Sequence, residues 1–192
     1  MNNKKIIIFK NDATGDLIHS REAIYNIINS NKDKDVILFL SNNSKEFTFL
    51  FEGKNLTIKF LSNKLRLFEK IKIFFFLCNK TILDIYILTP KSFYYYLPLF
   101  FNKKKFFGIC IDDRNNYKRP SLFLRKFLYK MVTNNRSTIF KRPSIFDLQN
   151  SLVYKNNHHK YKMNFNHKFN NEIISDIKDY YHFHINQKKF IK

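Results

Sequence analysis

The chain opens on an unbroken β-branched run, Lys4–Phe9, which predicts a buried strand. A polar loop, Lys10–Asp16, follows and carries Gly15. Leu17, Ile24, Ile27 and Ile28 then recur at helical spacing, so Leu17–Asn31 reads as an amphipathic helix. Asp35–Leu40 is a second apolar strand, and Ser44–Phe51 a short helix. In Asn55–Leu61, Leu56, Ile58 and Phe60 alternate with Thr57 and Lys59, the period of a third strand. Lys64–Asn79 has helical period and a basic outer face. Ile82–Leu88 is a fourth strand, holding Asp84, and Phe106–Ile111 a fifth. Between them Pro90–Phe101 predicts a helix opened by proline at its first position.

Beyond Ile111 the pattern loosens. Ser121–Val132 reads as a basic amphipathic helix, Thr138–Phe140 as a short strand and Ser144–Val153 as another helix. Tyr154–Asn171 is rich in Asn, His and Lys and reads as a linker, and Asn171–Tyr180 as a short helix of mixed charge. No internal repeat is visible. The expected organisation is a domain over residues 1–153 and a basic linker and C-terminal tail over 154–192.

Strands that alternate with helices of this length imply βαβ units. The fold class is therefore α/β, a Rossmann-like parallel sheet with helices on both faces. Ligands of such sheets bind beyond the carboxyl ends of the strands, where the strand order reverses. The loop Asn11–Asp16, after the first strand, is the first place to look.

Composition supports a packed domain. Hydrophobic residues make up 44% of the 192, with 23 Phe and 11 Tyr, enough to exclude global disorder. The 35 Lys+Arg outnumber the 15 Asp+Glu, for a formal charge of +20. That field attracts polyanions such as nucleic acid, anionic lipid or phosphorylated glycans. AT-rich codons account for part of it, because the same chain is heavy in Asn and Ile and has 3 Gly, 4 Pro and no Trp. Cys78 and Cys110, 32 positions apart in apolar runs, predict buried free thiols and suit a reducing compartment. Ile6–Phe9 is too short for the core of a signal peptide. Phe93–Phe101 falls short of the roughly 20 apolar residues of a membrane span. The expectation is a cytoplasmic protein, with attachment to the inner membrane face through basic and aromatic residues left open.

The chemistry concentrates in Phe9-Lys10-Asn11-Asp12-Ala13-Thr14-Gly15-Asp16-Leu17. Gly15 allows a tight turn and close approach of a ligand. Asp16 stands at or beside a helix N-terminus, where the helix dipole favours a carboxylate. Facing a cleft, such a carboxylate can take a proton from a sugar hydroxyl. The plainer alternative is that Asp16 caps the helix, since Asp is a preferred N-cap. No complete GxGxxG is present, so a dinucleotide site is not indicated at this loop.

Strand, then Lys10-Asn11-Asp12-Ala13-Thr14-Gly15-Asp16, then a helix through Ala23-Ile24 resembles the start of glycosyltransferase family 9, the heptosyltransferases of lipopolysaccharide core synthesis. Ile82–Pro90 is similar to the family's fourth strand. Lys104-Lys105-Phe106-Phe107-Gly108-Ile109 is similar to its strand with a basic pair followed by apolar-Gly-apolar residues. Ser144–Val153 and Glu172–Lys178 fall where the family has a late helix and an inter-domain connection.

The resemblance implies the acceptor-binding half of a GT-B fold and inverting transfer without a metal or resident cofactor. The donor would be a nucleotide-sugar co-substrate, and the acceptor a lipid-linked or phosphorylated glycan. Asp16 would be the general base. Lys10, Asn11, Thr14, Gly15 and Ser20 would line the acceptor pocket. Two departures stand out. Ser20 is followed by Arg21 where the family often has Pro, and Lys10 stands where Arg is common. Members are nearly twice as long, so a donor domain is expected to be missing from this chain.

Other features rank lower. Asp112-Asp113 lacks Asp-x-Asp spacing and reads as a solvated turn. His158, His159, His167, His182 and His184 sit in polar sequence without Cys partners, so no metal site is expected. Lys118, Arg119, Arg125, Lys126 and Lys130 would form a basic face meeting acceptor phosphates or an anionic bilayer. Nucleic-acid binding is the alternative from another class, favoured by charge but without a recognisable reading motif. A degenerate, non-catalytic interaction protein is the third reading.

Overall fold

Ile6, Ile7, Ile8 and Phe9 are wholly buried because the strand they form is paired on both edges and covered on both faces. A computed structural model describes residues 4–112, 118–134 and 145–153 of the protein. That strand, β1 (Lys5–Lys10), leads into α1 (Thr14–Asn29) and β2 (Asp35–Ser41). A kinked 3-10 segment (Asn42–Leu50), β3 (Leu56–Leu61), α2 (Leu67–Leu77) and β4 (Ile82–Ile87) follow. Next come α3 (Ser92–Tyr96), a 3-10 turn (Leu97–Leu99), β5 (Lys105–Asp112) and β6 (Lys118–Arg119). The last described elements are α4 (Leu122–Arg125), β7 (Lys130–Asn134) and α5 (Ile145–Val153).

Six strands run parallel in the order β3-β2-β1-β4-β5-β7, and β6 adds a two-residue antiparallel pairing to the end of β5. Ile7 lies beside Ile37 of β2 and Ile85 of β4, so the strand order reverses about β1. Alternation along the strands divides the core into two. Ile6, Ile8, Val36, Leu38 and Leu40 meet Leu17, Ile24 and Ile27 of α1 and Leu148 and Leu152 of α5. Ile7, Phe9, Ile37, Phe39, Ile85 and Ile87 meet Ile73 and Leu77 of α2, Tyr94 and Tyr95 of α3, and Leu124 of α4. Each buried aliphatic or aromatic side chain contributes roughly 1.5–3 kcal/mol. The expected Rossmann-like sheet with helices on both faces is therefore observed.

Gly108 shows how tightly the second layer packs. A Cβ there would stand 3.0 Å from Tyr95 Cε1 and 3.3 Å from Leu128 Cδ1. The Tyr95 hydroxyl donates to the carbonyl of Ile109.

Several expectations are corrected. Helix α1 begins at Thr14, not Leu17, so Gly15 lies in its first turn rather than in a loop. Pro90 does not open a helix. It is the corner of a turn in which Lys91 N–H donates to Thr89 O at 2.8 Å, and α3 starts at Ser92. Ser121–Val132 is not one helix, because α4 is a single turn and Lys130–Asn134 pairs with β5 as an edge strand. Cys110 is buried as expected, but Cys78 is exposed at the end of α2. Thr138–Phe140, Asp113, the histidines from His158 onward and the whole of 154–192 fall outside the described residues. No helix among the described residues is long and apolar enough to cross a membrane.

Candidate functional site

The reversal of strand order leaves an opening at the carboxyl ends of β1 and β4, where a doubly wound sheet has room for a ligand. A cleft of about 230 Å³ lies there, lined by Lys10, Asp12, Asp16, Leu88, Thr89, Pro90, Lys91 and Ile109. That is less than the roughly 300–1,000 Å³ of a drug-sized ligand site and leaves room for one small unit.

Asp16 reaches the cleft from the first turn of α1. The helix N-cap is Ala13, whose side chain makes no capping hydrogen bond, and Asp16 follows three residues later. Asp16 is thus not the N-cap but an acidic residue of the first turn. Its carboxylate sits where the unpaired amides of the first turn concentrate positive potential. Gly15, beside it, is exposed, and a Cβ placed on it would meet nothing within 4 Å. The backbone there stays open to a ligand.

Lys10 closes the floor. Its side chain is 1% exposed, and its ammonium donates to Asp12 Oδ2 at 2.7 Å. Burial lowers its pKa, opposed by the charges of Asp12 and Asp16 and by the bond to Asp12. The ammonium is committed to Asp12, so Lys10 sets the charge balance of the cleft rather than reaching out to a phosphate. Asp12 Oδ1 and Thr89 Oγ1 are both buried with no hydrogen-bond partner among the described residues. Thr89 itself is 1% exposed. A buried polar atom left unpaired costs about 1–3 kcal/mol, and both of these belong to residues that line the cleft.

Lys91 ties the rim together. Its ammonium donates to the carbonyl of Asn11 at 2.5 Å and to that of Asn63. It thereby links the loops after β1, β3 and β4. Burial brings its pKa down to about 8, with Asp12 and Glu69 opposing that fall and Lys10 adding to it.

Asn11 braces the same rim from inside. Its Nδ2 donates to Ser62 O at 2.9 Å, and its Oδ1 accepts from the Tyr94 hydroxyl at 2.7 Å. Ser62 N–H in turn donates to Glu69 of α2 at 2.7 Å, as does Arg66 N–H at 2.8 Å. Burial pushes the Glu69 pKa up, but these bonds outweigh it and leave it lowered.

The six sequence-chosen residues therefore divide. Lys10 and Asp16 line one cleft, and Gly15 stands open beside it. Asn11 is spent on the scaffold. Thr14 Oγ1 lies 3.4 Å from Asn43 O and 3.4 Å from Ser44 Oγ, against the 3-10 segment. Ser20 is buried one turn on, its hydroxyl donating to Asp16 O at 2.8 Å. The basic face expected over residues 118–130 does not form on one helix. Arg125 Nε donates to Pro120 O, and the Lys130 ammonium to the carbonyls of Ser151 and Leu152. Sequence reasoning missed Asp12, Thr89 and Lys91. The signal available for the last two was a Thr-Pro-Lys turn directly after a strand, on the far side of the reversal.

No known family pattern matches the sequence, and no curated protein matches it. Comparison of folds does find relatives in shape. E. coli ADP-heptose LPS heptosyltransferase II is similar with a TM-score of 0.55 at 12% identity, over 78% of this chain and 40% of that one. E. coli heptosyltransferase WaaC with ADP is similar at 0.48 and 8% identity, over 78% of this chain and 46% of that one. The chain thus spans less than half the length of either enzyme. The likeness establishes a heptosyltransferase-like α/β fold.

Proposed function

We propose that this chain is the acceptor-binding half of a sugar transferase, with Asp16 as the general base. The observation that carries the reading is the position of Asp16. It stands in the first turn of α1, lining a cleft at the strand reversal, without serving as the helix cap. The fold likeness to heptosyltransferase II supports it. A glycan hydroxyl entering the cleft would give its proton to the Asp16 carboxylate as its oxygen attacks the anomeric carbon of a nucleotide-sugar. The departing nucleotide would carry away the bonding electron pair, and the anomeric centre would invert. Asp12 Oδ1 and Thr89 Oγ1 would hold neighbouring hydroxyls of the acceptor unit. Lys10 neutralises Asp12, and the Lys91 ammonium on the same lining offsets Asp16, so the cleft meets the acceptor without a large net charge. The donor would be held by a second domain, as a nucleotide-activated heptose or related sugar, and the acceptor would be of lipopolysaccharide type.

The test is fusion of this chain to the donor half of a heptosyltransferase. Transfer to a lipopolysaccharide-type acceptor should appear. Asp16→Asn should lower kcat about 10²- to 10⁴-fold with little change in acceptor affinity by titration calorimetry. Undiminished turnover in the Asp16→Asn fusion would remove the mechanism.

A further inference from the structure

Helix α2 is apolar on two opposite sides. Ile73 and Leu77 point into the core, as expected. Phe68, Ile71 and Phe75, spaced three and four residues apart, form a second stripe on the outer side. Phe68 is 64% exposed and Phe75 70%. The stripe does not end with the helix. Phe74 contacts Phe75 at 6.3 Å and Phe100 edge-on at 5.5 Å, and Phe100 is itself 65% exposed. A helix with apolar stripes on two opposite sides can bury only one of them in its own core, so the outer face of α2 is a surface to be covered.

Charge identifies the cover. Lys64, Arg66 and Lys72 are exposed on and beside α2, and Lys103, three residues after Phe100, is exposed as well. The Lys72 ammonium lies 4.3 Å from the centre of the Phe68 ring. Between Asn63 and Lys80 the single acid is Glu69, and its carboxylate is held by two backbone amides. Aromatic and aliphatic groups ringed by cations, with no free carboxylate, match an interface of acyl chains under anionic headgroups. Nucleic acid would use the cations and stack on the rings, but would leave Ile71 and Leu67 without a partner.

We propose that the outer face of α2, extended through Phe100, docks onto an anionic lipid bilayer. The surface stands on exposure and charge alone. Its further bearing, that a lipid-linked acceptor reaches the cleft from this side, rests on the transferase reading above. The loop entering α2 supports that geometry, since Asn11 and Lys91 bind it at the rim of the cleft.

The chain has no Trp, so Phe75→Trp gives a single local reporter. The full chain is mixed with phosphatidylcholine vesicles with and without phosphatidylglycerol. Sedimentation should show binding at least about tenfold tighter to the anionic vesicles. The emission of the Phe75→Trp variant should shift to the blue on binding and be quenched by lipids brominated on the acyl chain. Phe68→Ser, at an exposed position, should weaken partitioning about tenfold while circular dichroism stays unchanged. Binding without a blue shift would overturn the proposal, because charge elsewhere would then be holding the chain. A blue shift that grows with protein concentration in the absence of vesicles would also overturn it, assigning the face to a second copy. Either failure leaves the fusion assay for Asp16 untouched, so the two readings fall separately.

Discussion

The Tyr94 hydroxyl and the Asn11 side chain meet at 2.7 Å across 83 residues of sequence, in the interior beside the cleft. Burial raises the pKa of Tyr94, so the phenol stays a proton donor throughout the working pH range. Phe9, two residues before Asn11, stacks on the same ring with centroids 4.3 Å apart. The pair locks the turn after β1 to α3. Tyr94→Phe keeps the stacking and leaves Asn11 Oδ1 unpaired. It should cost about 1–3 kcal/mol in urea denaturation, and a loss below about 0.5 kcal/mol would show that the bond does not brace the rim.

Gly15 separates stability from binding. It lies in the first turn of α1 with open space where a Cβ would stand. Gly15→Ala should therefore stabilise the fold by about 0.5–1 kcal/mol, read as a higher Tm. If the acceptor approaches the backbone at this point, the added methyl group should weaken glycan binding at the same time. A more stable variant with unchanged affinity would place the acceptor elsewhere.

Lys91 predicts a pH dependence. Its pKa falls to about 8 in the fold from an ordinary 10.5. Below about 8 both folded and unfolded chains are protonated there, and the cost of burying the cation is constant. Between about 8 and 10.5 the unfolded chain binds more protons, so this group makes stability rise with pH. Lys91→Met removes that slope. The urea midpoint of the parent should therefore gain on the variant as pH is raised across this window. A difference that stays flat would show that Lys91 is solvated.

Much of the centre was legible in sequence. The run Ile6–Phe9 could only be buried, and the helical spacing from Leu17 made Asp16 an N-terminal residue of α1. The rest depended on distance along the chain. Thr89 and Lys91 matter because β4 lies beside β1, and nothing local in Thr89-Pro90-Lys91 reports that pairing. Pro90 misled for a related reason. Proline suits a first helical turn, but here the Lys91 side chain is drawn back to the carbonyls of Asn11 and Asn63, and the backbone turns before α3 begins. The stretch from Ser121 to Val132 has helical spacing, yet Lys130–Asn134 gains a ladder on the edge of β5 that no local propensity outweighs. Cys78 was expected inside because its neighbours are apolar, and those neighbours include the outer stripe of α2.

The spatial order of the strands differs from the order in which they are made, and this sets the timing of folding during synthesis. β1 precedes the other described elements but stays unpaired on one edge until β4, more than 70 residues later, has been added. Helix α1 can lie on the sheet early, yet α5, which packs against it, is the last of the described elements to be translated. Loop closure on this scale slows the search for native contacts. Until β4 has been added, the nascent chain carries one edge of β1 unpaired, and until α5 has been added it carries the part of α1 that α5 covers, which makes it a natural client for chaperones that grip short hydrophobic stretches.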